Sequence, residues 1–131
     1  YGENAWGMTA CETPGGYTGA MGGLPCVGNK QRHPDGTIPP CGPIGSIVFT
    51  PEESIAAMEY FAQDEKLWGK YGFLDAYNLD VEPEWYSDVV IGIDKGISLL
   101  MIENYRSEFI WKLMNKNKYI QKAFELLEFT S

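Results

Sequence analysis

Thr50-Pro51-Glu52-Glu53 is where this chain changes character. A threonine hydroxyl can cap a helix, proline occupies the first turn without losing a hydrogen bond, and glutamate at the third helical position completes a capping box, so a helix is predicted to begin here. Beyond it Ile55, Met58, Phe61 and Ala62 recur three and four apart, a stripe expected to run to about Leu67 before Gly69 and Gly72 interrupt it. The stretch Gly72-Phe73-Leu74-Asp75-Ala76-Tyr77-Asn78 reads as a turn rich in aromatic and amide groups. Ile93, Ile97, Leu100 and Met101 then mark a second helix ending near Asn104, with so little polar surface that it is expected inside a larger protein. Ser107 is expected to cap a short helix with Phe109–Leu113 and Ile110–Met114 pairs. Asn117 should cap a last helix carrying Ile120, Ala123, Phe124 and Leu127. Trp68 and Trp111, at helical positions, are assigned to the core. No run alternates long enough to mark a strand, so the expected fold class is all-α, with about four helices.

Residues 1–49 hold eleven of the fifteen glycines and six of the eight prolines and keep no period of 3.6 or 2, so they are expected to be loop. The chain is therefore taken as one unit, 1–131, made of a loop-rich segment (1–49) and a helical segment (50–131). Its 131 residues, 44% of them hydrophobic, suffice for a modest core. No run approaches the roughly 18 apolar residues of a membrane span, so membrane insertion is not expected. The first residues lack a signal peptide's pattern. A formal charge of −8 argues against nucleic acid, whose binding rests on Lys and Arg neutralising phosphates. Cys11, Cys26 and Cys41, with His33 between the second and third, are evenly spaced, but no C-x-x-C or H-x-x-x-H clip is present and no metal is expected. Buried thiols, or one disulfide and a spare thiol, remain open.

Trp6-Gly7-Met8-Thr9-Ala10, Asp35-Gly36-Thr37-Ile38, Phe49-Thr50-Pro51-Glu52, Leu67 to Asn78, Trp85-Tyr86, Gly92-Ile93-Asp94-Lys95-Gly96 and Ile102-Glu103-Asn104-Tyr105-Arg106 stand in an order and spacing that resemble the glycoamylase-like family, which includes the endo-β-1,2-glucanases of glycoside hydrolase family 144. The resemblance covers nearly the whole chain. It implies the last third of an (α/α)₆ toroid, a fold of twelve helices that needs well over ~250 residues at roughly 11 per helix plus connections. It also implies a bacterial, periplasmic or secreted hydrolase of a β-linked glucan working without a cofactor, a chain too short to be active alone, and a proton donor supplied from elsewhere in the parent protein. The alternative is a non-catalytic helical module that binds carbohydrate or covers an open barrel edge by self-association.

Glycoside hydrolysis generally uses two carboxyl groups flanking the scissile bond. Glu3, Glu12, Asp75, Glu82 and Asp94 lie in aromatic or Gly-rich settings, whereas Glu52, Glu53, Glu59, Glu125 and Glu128 read as caps or solvated faces. Asp94, between Gly92 and Gly96 at the entrance of an apolar helix, needs a partner or ligand to offset its desolvation, and the resemblance turns it toward the cleft. Its structural alternative is to accept backbone N–H bonds at the helix start, and that of Asp75 is to fix its own turn. Glu12 stands where the family more often shows Asp, which favours a solvated loop acid. Asp94 and Glu12 are thus the catalytic candidates, and Glu103 and Arg106 a structural ion pair. Sugars stack their C–H faces on aromatic rings, so Trp6, Tyr17, Phe73, Tyr77, Trp85 and Tyr86 join Asp94, Asp75 and Glu12 as candidate substrate-binding residues, with core packing as the competing role.

Overall fold

The computed structural model describes residues 1–19 and 35–129. Among them are five α-helices and three two-stranded antiparallel sheets, so the chain is not all-α. The extra elements are too short for a hydrophobic period to register; tight turns and partners distant in sequence set them. In the first, β1 (Cys11–Thr13) pairs with β2 (Gly16–Thr18) across Pro14-Gly15. There Thr13 Oγ1 accepts from the Gly15 N–H at 3.1 Å and donates to the Gly16 carbonyl at 3.0 Å, and Gly16 takes a φ of 102° that L side chains rarely adopt. The segment expected to be loop therefore contains a hairpin, and further on the helix α1 (Cys41–Gly45).

Helix α2 (Pro51–Phe61) begins where expected, but the Thr50 side chain does not cap it. Its hydroxyl is engaged by the Ser46 carbonyl at 3.4 Å and the buried Ser54 hydroxyl at 3.2 Å. The inward face is Ser54, Ala57 and Phe61: Phe61 is buried as the predicted stripe has it, whereas Ile55 and Met58 are only half-buried and Ala62 is exposed. The helix also stops six residues short of Leu67, because Asp64 Oδ1 accepts the Lys66 N–H at 3.0 Å and opens a separate 3₁₀ turn, Glu65–Leu67. Next come β3 (Trp68–Gly69) against β4 (Gly72–Phe73), and β5 (Tyr77–Asn78) against β6 (Trp85–Tyr86). Trp68 is 61% exposed and Trp111 42%, so neither is a core residue: Trp68 sits on a hairpin and covers Phe73 edge-on.

The core gathers Ile38, Ala57, Phe61, Leu67 and Tyr77. Phe61 meets Phe73 and Tyr77 edge to face at 5.9 and 6.0 Å. Ile38 and Tyr77 exchange both backbone hydrogen bonds, at 2.9 and 3.1 Å. Beside them the fully buried Asn78 donates to the Asp35 carbonyl and the Thr37 hydroxyl, each at 3.0 Å, and accepts from the Asp80 N–H at 2.8 Å. Segment 35–38 is thereby held to segment 75–78.

Helix α3 (Gly92–Ser107) lies against α1 so closely that a Cβ on Gly45 would come within 3.2 Å of Ile97. At its end Glu108 turns left-handed at φ 57°, and buried Asn104 accepts the Trp111 N–H at 3.1 Å, bending the chain into α4 (Phe109–Met114). The Ser107 hydroxyl accepts the Phe109 N–H at 3.2 Å. Asn117 caps α5 (Lys118–Leu126) through the Tyr119 N–H at 2.9 Å, as its sequence predicts. Glu103 and Arg106 form the expected exposed pair at 3.7 Å. No helix among the described residues is long and apolar enough to cross a membrane.

Asn78→Ala removes four side-chain hydrogen bonds, the weakest from the Tyr1 hydroxyl at 3.4 Å, and should cost about 3 kcal/mol in urea unfolding, while an exposed change such as Glu59→Ala costs under about 0.5 kcal/mol. Equal costs would show that Asn78 does not tie the two segments.

Candidate functional site

Three candidates from distant parts of the sequence come together. Asp75 precedes β5 and is 1% exposed; Asp94 occupies the first turn of α3 and is 6% exposed. The Glu12 backbone N–H, in β1, donates to Asp75 Oδ2 at 2.7 Å. Asp75 therefore secures the β1–β2 hairpin, 63 residues away, rather than its own turn. Its carboxyl lies within hydrogen-bond reach of Asp94. The Glu12 side chain points elsewhere, its Oε2 accepting the Ser87 hydroxyl at 3.4 Å. Glu3 and Glu82 are exposed and join no part of this cluster.

The Asp75 and Asp94 carboxyls are both buried. Burial pushes the Asp75 carboxyl up to about 6, with the hydrogen bond and charge of Asp94 adding to the rise, while the Glu12 N–H and the Lys95 charge oppose it. Lys95 does not neutralise the pair by contact, because its ammonium donates to the Phe73 carbonyl. Cys11 and Cys41 are buried free thiols, each pushed up to about 12, first by burial and then by nearby carboxylates. After burial, the nearby Asp94 carboxylate is the largest influence that raises the Cys41 thiol. Sequence reasoning had no access to the roles of Cys41, Ser87 and Lys95, because no local spacing links α1, the loop after β6 and the Gly72–Asn78 stretch. The metal reading cannot be followed to its end, since Cys26 and His33 lie outside the described residues; among those described, no three potential ligands cluster.

Asp94 borders two open clefts. One, of about 460 Å³, is lined by Met8, Thr9, Ala10, Tyr17, Gly42 and Ile93 among others. The other, of about 420 Å³, includes Trp68, Tyr71, Phe73, Leu74 and Lys95. The aromatic candidates divide between these clefts and the interior. Tyr17 is 62% exposed and lines the first cleft together with Asp94. Trp85 packs on Cys11 and Ala76, and Trp6 packs on the core while lining a separate hollow with Asp80. Tyr77 is buried, and Tyr86 stacks on it at 6.2 Å while donating to Asp64 Oδ2 at 2.6 Å.

A family model described as "Putative glucoamylase" matches residues 1–118. An exo-β-1,2-glucooligosaccharide sophorohydrolase (non-reducing end) of Parabacteroides distasonis is 33% identical over 130 residues, 98% of this chain and 17% of that protein. Among solved structures, an endo-β-1,2-glucanase from Chitinophaga pinensis, in complex with sophorotriose and glucose, is similar at TM-score 0.79 and 35% identity over 95% of this chain and 28% of its own. A β-1,2-glucanase from P. distasonis gives 0.80 and 34%, again over 95% of this chain, and 17% of its own. The chain thus spans between about a sixth and somewhat over a quarter of the relatives it matches.

The raised Asp75 carboxyl fixes a pH dependence. The folded chain keeps a proton that an unfolded carboxyl releases near 3.8, so this stabilisation is complete below about pH 4 and is lost as pH rises toward 6. Its size is on the order of 2–3 kcal/mol. Asp75→Asn carries no such proton, so urea unfolding should show the variant gaining on the parent by that amount between about pH 4 and 7. A difference that stays constant with pH would rule the shift out.

Proposed function

This chain belongs to the glycoamylase family, and from that premise we propose that it forms part of a glycoside hydrolase acting on a β-linked glucan, with β-1,2-linked glucan as the substrate class. The observation that carries the reading is Asp94, a nearly buried carboxyl that borders two open clefts. In this reading Asp94 meets sugar hydroxyls, and Tyr17 offers an exposed ring to a C–H face of the sugar. Similarity to proteins that act on β-1,2-glucans and their oligosaccharides supports the substrate class.

Asp75 and Asp94 are not the two catalytic carboxyls of such a reaction. Groups that flank a glycosidic bond stand about 5–9.5 Å apart, whereas these two lie within hydrogen-bond reach of each other. They count as one functional acid, and the second carboxyl must face it across the cleft. Neither the Glu12 side chain, turned to Ser87, nor the exposed Glu3 and Glu82 provides it. In this reading, as the family resemblance implies, the proton donor comes from a part of the parent protein outside these 131 residues. The chain by itself should bind without turning over.

A second reading draws support from the outer faces of α3, α4 and α5, where Ile93, Leu99, Phe109, Leu113, Leu126 and Leu127 are exposed. Apolar surface on this scale marks an interaction site, and self-association is one way to cover it.

Calorimetric titration of the 131-residue chain with β-1,2-glucooligosaccharides should give saturable binding that Asp94→Ala and Tyr17→Ala each weaken by about tenfold, or 1.4 kcal/mol. Reducing ends should not be released. Binding that ignores both substitutions, alongside concentration-dependent oligomers in sedimentation, would favour the interaction module. Turnover by the chain alone would contradict the missing proton donor.

A further inference from the structure

Two oxygens at the centre of the site have no donor when both carboxyls are ionised: Asp75 Oδ1 and Asp94 Oδ2 are buried and meet no hydrogen-bond partner. Burying a charged acceptor without a donor is among the larger penalties a fold can carry. The remedy is local, because the two side chains are within hydrogen-bond reach of each other. One proton placed between them gives each orphaned oxygen its partner.

The groups around the pair decide which carboxyl holds that proton. On Asp75, Oδ2 is already taken by the Glu12 N–H, leaving Oδ1 as the oxygen that can carry a hydrogen. Asp94 has the Cys41 thiol, a group that burial keeps protonated, as its neighbour on α1, so the proton of the pair is assigned to Asp75. The other charged groups nearby do not supply a proton. Lys95 is committed to the Phe73 carbonyl, the Glu12 carboxylate is turned to Ser87, and Asp35 acts on the Cys11 thiol through its negative charge and caps its own turn at the Thr37 N–H.

We propose that Asp75 is a positioning residue for Asp94: it holds one shared proton on Oδ1 and donates it to Asp94 Oδ2, fixing Asp94 as an oriented acceptor toward the clefts. The geometry couples the β1–β2 hairpin to the sugar-facing acid, since the Glu12 N–H that orients Asp75 belongs to that hairpin. Loss of the proton puts two buried carboxylates side by side and drives them apart, loosening Asp94 and the hairpin together. The proposal rests on the reading that Asp94 meets glucan, but the shared proton itself can be tested without sugar.

The first measurement is carbon-13 NMR of the aspartate side-chain carboxyls in the 131-residue chain, titrated without glucan. Expected is one aspartate that keeps its proton to about pH 6, with a linked shift change at a second. Full ionisation of every aspartate by about pH 5 would overturn the proposal, and this readout needs no variant to fold.

Substitutions then separate positioning from bulk. In Asp75→Asn the amide oxygen can still accept from Glu12 and the amide nitrogen can donate to Asp94, mimicking the protonated acid at every pH. Oligosaccharide affinity should stay within about threefold of the parent and lose its dependence on pH between about 5 and 7. Asp75→Ala, which leaves Asp94 Oδ2 without that donor, should bind at least about tenfold more weakly. Equal affinity for Asp75→Ala and parent, or an unaltered pH profile in Asp75→Asn, would sink the positioning role. A parent chain that binds no β-1,2-glucooligosaccharide would instead overturn the glucan reading, while the NMR titration still decides the shared proton.

Discussion

Burying the four-residue run Asp75-Ala76-Tyr77-Asn78 removes three polar side chains and a stretch of backbone from water, and distant segments supply partners for all of Asn78, one oxygen of Asp75 and the backbone, leaving Asp75 Oδ1 and the Tyr77 hydroxyl without one. Tyr77 exchanges both its backbone bonds with Ile38, and the Ala76 carbonyl accepts from Ser87 at 3.0 Å. Asn78 draws in residues 35–37, and Asp75 draws in the β1–β2 hairpin through Glu12. The partners come from three separate segments. One buried run thus gathers an N-terminal hairpin, a Gly/Pro-rich strap and the loop after β6 around a core too small to do so by hydrophobic contact alone.

That arrangement produces the site as a by-product of satisfying polar groups. Asp75 could have been replaced by an apolar residue if packing were its task, since removing both partners of a buried hydrogen bond is often nearly neutral. Instead its second oxygen is buried without a partner, in the neighbourhood of Asp94, whose own surroundings mix a thiol, an acid and two open clefts. The cost of holding two carboxyls together is offset by the Glu12 tether and by the packing of α1 on α3, where Gly45 allows the close approach. Meanwhile the outer faces of α3 to α5 keep large side chains in water, Leu99 at 69% and Phe109 at 54% exposure among them. The chain therefore has a polar interior around its site and an apolar exterior on its last three helices, the reverse of what an independent small domain would choose.

The sequence alone determined the positions of the longer helices and several of their ends, because capping and the 3.6 period act within a few residues. Asn117 caps α5 as read, Pro51 opens α2, and the hydrophobic excess of the helix after Gly92 appears as exposed surface. Glycoamylase family membership was legible too, in the order of its motifs. Tertiary structure decided what depends on groups far apart in the chain. It made strands of two- and three-residue segments that no period could reveal, diverted the Thr50 hydroxyl from its cap to Ser46 and Ser54, and left Trp68 and Trp111 in water. It also chose, among five plausible carboxylates, the two that share a site. Sequence could name Asp75 and Asp94 as acids in unusual settings, but their proximity arises only when α3 packs on α1 and Glu12 reaches Asp75, since a carboxyl's role is set by neighbours that only folding brings within a few ångströms.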